Sequence, residues 1–295
     1  MGILQTAERS SHLDPSENVM YQRHLIAYKE AAKIVSGTVL EVGSGEGYGI
    51  MELAPITEKY IAVDKYDTHI SDELKGENDI TFIQTEVPPL KGIDDDSVDF
   101  VVTFQVIEHI QNDELFLKEI KRVLKPGGIL ILETPNPENI IVGSSSFYLD
   151  PSHKAPVHPE TLSFLTKYLG FELVKIVRLN EPKELIQHNS FELRRLLYGV
   201  SPDYSIIAQK KYDSNNFNLE INAFNINYGF KLEDIIAHVE KSIKDKELDK
   251  ELLIENQFLA LQNQFESLSI FWKPFSATTK KISSFVFNKI KSFFK

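Results

Sequence analysis

The chain has 295 residues, of which 42% are hydrophobic and 25% charged, with a formal net charge of −11 and no cysteine. This composition is ordinary for a globular protein with a large buried core, and the lack of cysteine excludes disulfides, thiolate metal sites and cysteine nucleophiles. Residues 271–295 carry six lysines and no acidic residue, which leaves 26 basic and 43 acidic groups, a net charge of −17, in the rest of the chain. An acidic body predicts no nucleic-acid partner, because phosphate contacts need a positive surface.

Neither a membrane span nor a secretion signal is predicted. The sequence has no run of about eighteen apolar residues, the length that crosses a bilayer, and its first residues turn polar too soon for a signal peptide. Together with the lack of cysteine, this favours a cytoplasmic protein. Residues 1–37 are predicted to form an N-terminal segment with a helix over 20–35 that Gly37 ends.

A β-branched stretch that runs directly into glycines follows at residues 38–49. It contains Glu41 and then glycines at positions 43, 45, 47 and 49. The pattern predicts a buried parallel strand that turns at once into a helix, with a backbone that a nucleotide-like ligand can approach closely. A turn without a ligand is the alternative.

The spacing of these glycines differs from the dinucleotide fingerprint. In Gly-x-Gly-x-x-Gly the third glycine would stand at position 48, which is Tyr48. A carboxylate at Glu41 would repel a pyrophosphate but can attract a cationic ammonium group, directly or through water. The pattern therefore favours S-adenosylmethionine over a nicotinamide dinucleotide.

Four further strands are predicted at 60–64, 80–84, 100–104 and 129–134. The second strand ends in Asp64, where dinucleotide folds place an acidic side chain that accepts hydrogen bonds from the ribose hydroxyls. Glu86 and Val87 follow the third strand, and Gln105 and His109 follow the fourth. Three aspartates at 94–96 lack the remainder of a calcium-binding loop and indicate a solvated turn.

Four segments, taken in order, resemble the motifs of class I S-adenosylmethionine-dependent methyltransferases. They are the glycine loop, residues 97–102, residues 108–110 with 122–128, and residues 134–136. The resemblance implies an α/β fold with a doubly wound, seven-stranded, mostly parallel Rossmann-like sheet over residues 38–212. It also implies that residues 1–37 cap a pocket for S-adenosyl-L-methionine and that Glu86 holds the adenine amino group. Arg23 is expected to pair with the methionine carboxylate through a bidentate contact, and the alternative is that it caps an acidic surface of the protein. The expected cofactor-binding residues are Tyr21, Arg23, Glu41, Gly43, Ser44, Gly45, Asp64, Lys65, Glu86, Val87, Gln105 and His109.

The loop at 144–160 is expected to lie over the carboxyl edge of the sheet, because it follows the fifth strand. A helix at 160–169, a sixth strand at 171–177 and an antiparallel seventh strand at 204–210 follow. Residues 150–171 resemble the acceptor side of methyltransferases that act on bacterial surface polysaccharides such as O-antigen. His153 and His158 are the candidate catalytic bases, or they bind a sugar hydroxyl or hold the loop in place. A metal site of Asp150, His153 and His158 is an alternative that we do not favour.

The C-terminal part is predicted to be helical. Over 229–272 an apolar seam predicts a coiled coil and self-association through residues 232–272, while packing of this helix on its own domain is the alternative. The seam comprises Leu232, Ile236, Val239, Ile243, Ile254, Phe258, Leu261, Phe265, Leu268 and Trp272. Residues 274–295 combine an apolar face with lysines, which favours an anionic membrane surface over a docking site for a partner protein.

These features lead to one functional hypothesis with two alternatives. We expect an S-adenosylmethionine-dependent methyltransferase that transfers a methyl group to a hydroxyl of a glycan or a lipid-linked sugar. The enzyme would be cytoplasmic and peripherally associated with the inner face of the cell membrane. The alternatives are a methyltransferase for a small hydrophobic, quinone-like acceptor and a non-catalytic scaffold that keeps the fold.

Overall fold

The structure is a computed structural model that describes residues 18–68, 70, 72–180, 193–212 and 230–271. Its strands are β1 (Thr38–Val42), β2 (Lys59–Asp64), β3 (Ile80–Gln84), β4 (Val98–Phe104), β5 (Leu124–Pro135), β6 (Phe171–Leu179) and β7 (Asp203–Lys210). Its helices are α1 (Asn18–Ala31), α2 (Tyr48–Leu53), α3 (Asp72–Glu77), α4 (Asp113–Val123), α5 (Ile140–Ser144), α6 (Pro159–Tyr168), α7 (Leu193–Tyr198) and α8 (Leu232–Phe271). The predicted basic tail at 274–295 lies outside the described residues.

The strands form one seven-stranded sheet in the order β3-β2-β1-β4-β5-β7-β6. The first five pair in parallel, and β7 runs antiparallel to both β5 and β6. The predicted doubly wound sheet, with its antiparallel seventh strand, is therefore confirmed. The strand order reverses between β1 and β4, and open α/β sheets bind ligands at the carboxyl ends of the strands beside such a switch point.

The central strands are apolar because helices cover both faces of the sheet. Leu40 and Val42 of β1 point to one face, where they join a core that contains Phe116 and Ile120 of α4. Val39 points to the other face and joins a core with α1 and α2. Glu41 shares this second face, so strand geometry alone puts a carboxylate inside the protein.

The start of α8 packs through two residues of the predicted seam, Leu232 and Val239, but not through the other two in this part of the helix. Ile235 and Val239 are buried in a small cluster with Val200, whereas Ile236 and Ile243 are each 39% exposed. The chain divides into two compact units, Met1–Val239 and Glu240–Lys295. The first turns of α8 therefore belong to the first unit, which agrees with the alternative of packing on its own domain for this part of the helix.

Within the second unit, large apolar side chains of α8 are exposed. Leu248, Leu252, Ile254 and Leu261 each expose about half or more of their surface. Self-association through this helix is not tested by a single chain and stays a prediction. No helix in the described part of the chain combines the length and the apolar content needed to span a membrane.

Candidate functional site

The glycine loop lies between β1 and α2. Gly43 has a φ of +85°, and a Cβ on it would lie 2.3 Å from Cγ2 of Val106, so a side chain does not fit there. The Gly43 N–H donates to the carbonyl of Val63 at 2.7 Å, which ties the loop to the end of β2. At Gly45, whose φ is +50°, a Cβ would meet no atom within 4 Å. The loop thus presents bare backbone toward open space, as a close-lying ligand requires.

Asp64 holds this loop from the neighbouring strand. Its Oδ2 accepts the Gly45 N–H at 2.9 Å and its Oδ1 accepts the Tyr66 N–H at 2.8 Å. An ionised carboxylate can accept about four hydrogen bonds, so capacity for two ribose hydroxyls is left. Asp64 also lines the cavity described next.

A cavity of about 840 Å³ lies at the carboxyl ends of β1, β2, β3 and β4. Eight of the predicted cofactor residues line it, namely Gly43, Gly45, Asp64, Lys65, Glu86, Val87, Gln105 and His109. The volume is in the range of about 300–1,000 Å³ that is usual for small-molecule sites. These eight residues come from four different loops, and parallel strand topology brings them to one edge of the sheet.

Several lining residues were not identified from the sequence. They include His24, Glu46, Tyr48, Val106, Ile110, Asn112, Ser152 and Lys154. His24 lies on the buried face of α1, and its Nδ1 is 3.1 Å from the hydroxyl oxygen of Tyr48. Helical periodicity could have placed His24 on that face. Ser152 and Lys154 lie in the loop after β5, which was recognised as a whole but not residue by residue.

Tyr21, Arg23 and Ser44 do not line the cavity. The Tyr21 ring packs edge-on against Tyr48 at 5.4 Å between centroids, and the Ser44 hydroxyl lies 2.9 Å from that of Thr68. Arg23 forms a bidentate ion pair with buried Asp203, with Nε 2.6 Å from Oδ2. Their contacts with the cofactor stay predictions, and for Arg23 the pairing observed here is with the protein itself.

Glu41 likewise lies behind the loop instead of on the cavity wall. It is 1% exposed, and its two oxygens accept hydrogen bonds from Tyr28 at 2.7 Å and Tyr60 at 2.9 Å. Burial raises the pKa of Glu41 to about 7, the two tyrosine hydroxyls oppose this increase, and the charge of Asp64 adds to it. The carboxylate therefore ties α1 to β2, and its contact with an ammonium group stays a prediction.

The raised pKa of Glu41 predicts that the protein loses stability as the pH rises. The folded state keeps the proton up to about pH 7, whereas the unfolded state releases it near the ordinary glutamate pKa of 4.5. The contribution of this group is therefore fully present below pH 4.5 and declines through pH 7, by at most about 3 kcal/mol. We expect Glu41→Gln to remove this dependence, measured as the free energy of unfolding in urea between pH 4.5 and 8. The matched change Glu58→Gln alters an exposed carboxylate and should leave the dependence as in the wild type; identical pH profiles for Glu41→Gln and wild type would contradict the assignment.

Gln105 links the cavity to a buried acidic cluster. Its φ is +56°, and its side-chain Nε2 donates to both oxygens of Glu133, at 3.0 and 2.9 Å, and to Asp203 at 3.3 Å. Burial, followed by the charge of Asp203, raises the pKa of Glu133 well above its ordinary value, while Arg23 opposes the increase. The cluster fixes the orientation of Gln105 at the cavity wall.

The two histidines predicted as catalytic bases occupy different places. The Nδ1 of His158 accepts the Glu160 N–H at 3.3 Å, so this exposed residue caps α6. The Nδ1 of His153 lies 2.6 Å from the carbonyl oxygen of Phe147, and its ring packs against Phe147 and His109. Neither residue lines the cavity, although Ser152 and Lys154 on both sides of His153 do. The alternative metal site of Asp150, His153 and His158 is not assembled. Asp150 accepts hydrogen bonds from Ser152, and His158 caps α6.

Comparison with known proteins agrees with this geometry. Residues 40–132 match a family model described as a methyltransferase domain. A probable S-adenosylmethionine-dependent methyltransferase of Mycolicibacterium smegmatis is 34% identical over 173 residues, which are 57% of this chain and 65% of that protein. Residues 40–132 are thus similar in sequence to a methyltransferase domain, and the chain has the Rossmann-like fold of class I S-adenosylmethionine-dependent methyltransferases.

This methyltransferase domain also has a structural counterpart. The crystal structure of a SAM-dependent methyltransferase from Archaeoglobus fulgidus covers 67% of this chain and 100% of that chain, at 28% identity and a TM-score of 0.50. A ubiquinone biosynthesis O-methyltransferase of Rickettsia typhi is 29% identical over 113 residues, which are 37% of this chain and 44% of that protein. The chain thus spans slightly less than two thirds of the mycobacterial relative. None of these three names specifies a glycan acceptor.

The residues at the cavity fit the cofactor of this family. Gly45 leaves open space for a ligand against the backbone, Asp64 keeps acceptor capacity for ribose hydroxyls, and Glu86 is exposed at the cavity edge. S-adenosyl-L-methionine supplies the reactive methyl group when it is bound. The glycine loop and Asp64 are the residues that would hold and orient it.

Proposed function

We propose that this protein transfers a methyl group from S-adenosylmethionine to a hydroxyl of a glycan or a lipid-linked saccharide. One observation carries the proposal: the same cavity is lined by the glycine loop and Asp64 and by polar side chains of the segments after β4 and β5. A cofactor and a polar acceptor can therefore lie side by side. Holding two reactants in line accounts for about 7–11 kcal/mol of barrier lowering in favourable cases, so the domain needs few catalytic groups.

The acceptor end of the cavity favours a substrate with many hydroxyl groups. Gln111, Asn112, Ser152 and Lys154 line it together with His109. Amide, hydroxyl and ammonium groups exchange hydrogen bonds with sugar hydroxyls, and the positive charge of Lys154 suits a phosphate that links a sugar to a lipid. His153 and His158 do not line the cavity. We therefore propose that positioning of the acceptor contributes more to catalysis than a general base does.

A quinone-like acceptor is the second candidate. The similarity to the Rickettsia typhi ubiquinone biosynthesis O-methyltransferase supports it. Val106, Ile110 and Pro151 add apolar surface to the same cavity, which suits a flat aromatic ring. Both candidates share transfer to an oxygen atom and differ in the polarity of the acceptor.

The C-terminal part is proposed to bring the enzyme to its acceptor. The exposed leucines and isoleucines of α8 would pair with a second copy of the chain, since an apolar seam of this kind is stable only when covered. The lysines of residues 274–295 would hold the protein at the anionic inner face of the cell membrane. A non-catalytic scaffold would keep both properties without methyl transfer.

An acceptor screen tests the proposed function. Purified protein is incubated with S-adenosylmethionine that carries a tritiated methyl group and, separately, with a lipid-linked oligosaccharide, the free glycan and a dihydroxybenzoate. Tritium in either sugar acceptor supports the proposal, and tritium in the dihydroxybenzoate alone favours the second candidate. Cofactor binding without transfer to any of the three would make the scaffold the leading account.

A further inference from the structure

Three side chains with metal-ligating atoms come together beside the acceptor end of the cavity. Glu108 and His109 belong to the short turn after β4, and His153 belongs to the loop after β5. Each offers one ligand atom, and the three atoms lie within 4.8 Å of one another. We propose that Glu108, His109 and His153 bind a divalent transition-metal ion of the Zn²⁺ class.

The hydrogen bond of His153 to a backbone carbonyl sets the tautomer of its ring. Its Nδ1 lies 2.6 Å from the carbonyl oxygen of Phe147. A carbonyl oxygen can only accept, so Nδ1 carries the proton and Nε2 keeps its lone pair. Histidines that bind metals almost always donate their other ring N–H to a carbonyl, a carboxylate or water in this way.

His109 reaches the same tautomer through two steps. Its Nδ1 lies 2.9 Å from the hydroxyl oxygen of Ser152, and that hydroxyl lies 2.6 Å from Oδ1 of Asp150. Because an ionised carboxylate only accepts, Ser152 gives its proton to Asp150 and accepts the N–H of His109. The lone pair of His109 is again on Nε2, and this residue lines the cavity.

Glu108 completes the set with an oriented carboxylate. It is 1% exposed, and its Oε2 accepts a hydrogen bond from the Thr134 hydroxyl at 2.9 Å. The Lys154 N–H donates to the Glu108 carbonyl at 2.8 Å, which fastens the loop after β5 onto the turn after β4. All three candidate ligands are thus held by partners of the kind that orient ligands at metal sites.

The chemistry of the set points to the class of ion. Two imidazoles and one carboxylate bind Zn²⁺ with an open position, and they also suit Fe²⁺. Metal–nitrogen distances of about 2.1 Å put ligand atoms roughly 3.4 Å apart in a tetrahedral site. The observed separation of up to 4.8 Å therefore requires closure by side-chain rotation.

The role of the ion rests on the proposed function. An ion at this place can hold the oxygen of an acceptor hydroxyl and lower its pKa. The hydroxyl then loses its proton to solvent water, its oxygen forms a bond to the methyl carbon, and the carbon–sulfur bond breaks with its electron pair passing to sulfur. The products are a methyl ether, S-adenosylhomocysteine and one proton, and no oxidant or reductant is required.

Metal titration tests the site directly. The full chain, without an affinity tag, is treated with EDTA, freed of it and titrated with CoCl₂ and ZnCl₂, followed by visible absorption for Co²⁺ and by calorimetry for Zn²⁺. We expect one equivalent per chain. His153→Ala and Glu108→Gln should each weaken binding at least tenfold, and Ser152→Ala should weaken it about tenfold through His109.

His158→Asn is the matched control. It removes an imidazole from the same loop while keeping a side chain that can cap α6, and its metal affinity should equal that of the wild type. Circular dichroism and S-adenosylmethionine binding establish that each variant is folded. If His153→Ala does not fold, Ser152→Ala is the variant that tests the site.

The proposal fails if the wild type takes up neither ion, or if His153→Ala, Glu108→Gln and Ser152→Ala bind as tightly as His158→Asn. The proposed function is tested separately, by methyl transfer and cofactor binding with EDTA present. Transfer that persists at full rate in EDTA would overturn the role of the ion and leave the proposed function standing. If the protein binds the metal but not S-adenosylmethionine, the proposed function is contradicted and the metal site is not.

Discussion

Asp64→Ala is expected to weaken S-adenosylmethionine binding about a hundredfold, or roughly 2.7 kcal/mol. The carboxylate lines the cavity and accepts the backbone N–H groups of Gly45 and Tyr66. Its loss would remove the predicted acceptor for the ribose hydroxyls and two hydrogen bonds that hold the glycine loop. Hydrogen bonds to charged groups contribute about 1.5–3 kcal/mol each, so the loss of one such contact with the ribose already accounts for a change of this size.

The measurement is calorimetric titration of S-adenosylmethionine into wild type and variants. Asp64→Asn should bind nearly as weakly as Asp64→Ala, because its amide group would face a backbone N–H where an acceptor is needed. Glu77→Ala removes an exposed acidic residue of α3 and should bind as the wild type does. Equal affinities for Asp64→Ala and Glu77→Ala would remove Asp64 from the cofactor site.

Arg23→Met is expected to lower the free energy of unfolding by about 3–5 kcal/mol. The guanidinium is the cationic partner of Asp203, whose side chain is fully buried and which also accepts a hydrogen bond from Asn180 at 2.8 Å. Without Arg23, the negative charge of Asp203 stays in the interior next to the carboxyl group of Glu133 and has lost its cationic partner. Breaking a buried pair by removing one partner is costly because an uncompensated charge remains.

Urea denaturation of the variant and of two controls provides the test. Asp95→Asn breaks the pair of Asp95 with Arg122, in which Asp95 is 72% exposed, and should cost less than about 1 kcal/mol. Adding Asp203→Asn to Arg23→Met should restore part of the lost stability, because the buried charge is then gone. A loss below 1 kcal/mol for Arg23→Met, combined with a tenfold loss of cofactor affinity, would instead place Arg23 at the methionine carboxylate.

The strand, the glycine loop and their place at the edge of the sheet could be predicted because their determinants are local in sequence. A strand, a glycine turn and a helix follow one another from Thr38 to Leu53, and the positive φ angles at Gly43 and Gly45 are what such a turn requires. Asp64 follows from the same local logic, since it ends the next parallel strand. The sheet topology followed from the order of short apolar strands and intervening helices.

The outcome for Glu41 shows where local pattern stops being informative. Its place on an inward face of β1 follows from strand periodicity, but its partners, Tyr28 and Tyr60, come from a helix and another strand. No spacing in the sequence indicates that two hydroxyls would meet this carboxylate. The packing of α1 on the sheet decided it.

The sequence by itself determined the fold, the glycine loop and the carboxylate at the end of β2, because neighbours along the chain set backbone conformation and strand polarity. Only the tertiary structure decided which distant side chains meet. Arg23 pairs with Asp203, 180 residues away, and His158 caps a helix while His153 turns toward Glu108 and His109. The physical reason is that a polar group buried by packing must find its partner among whatever groups the fold places beside it, wherever they lie in the chain.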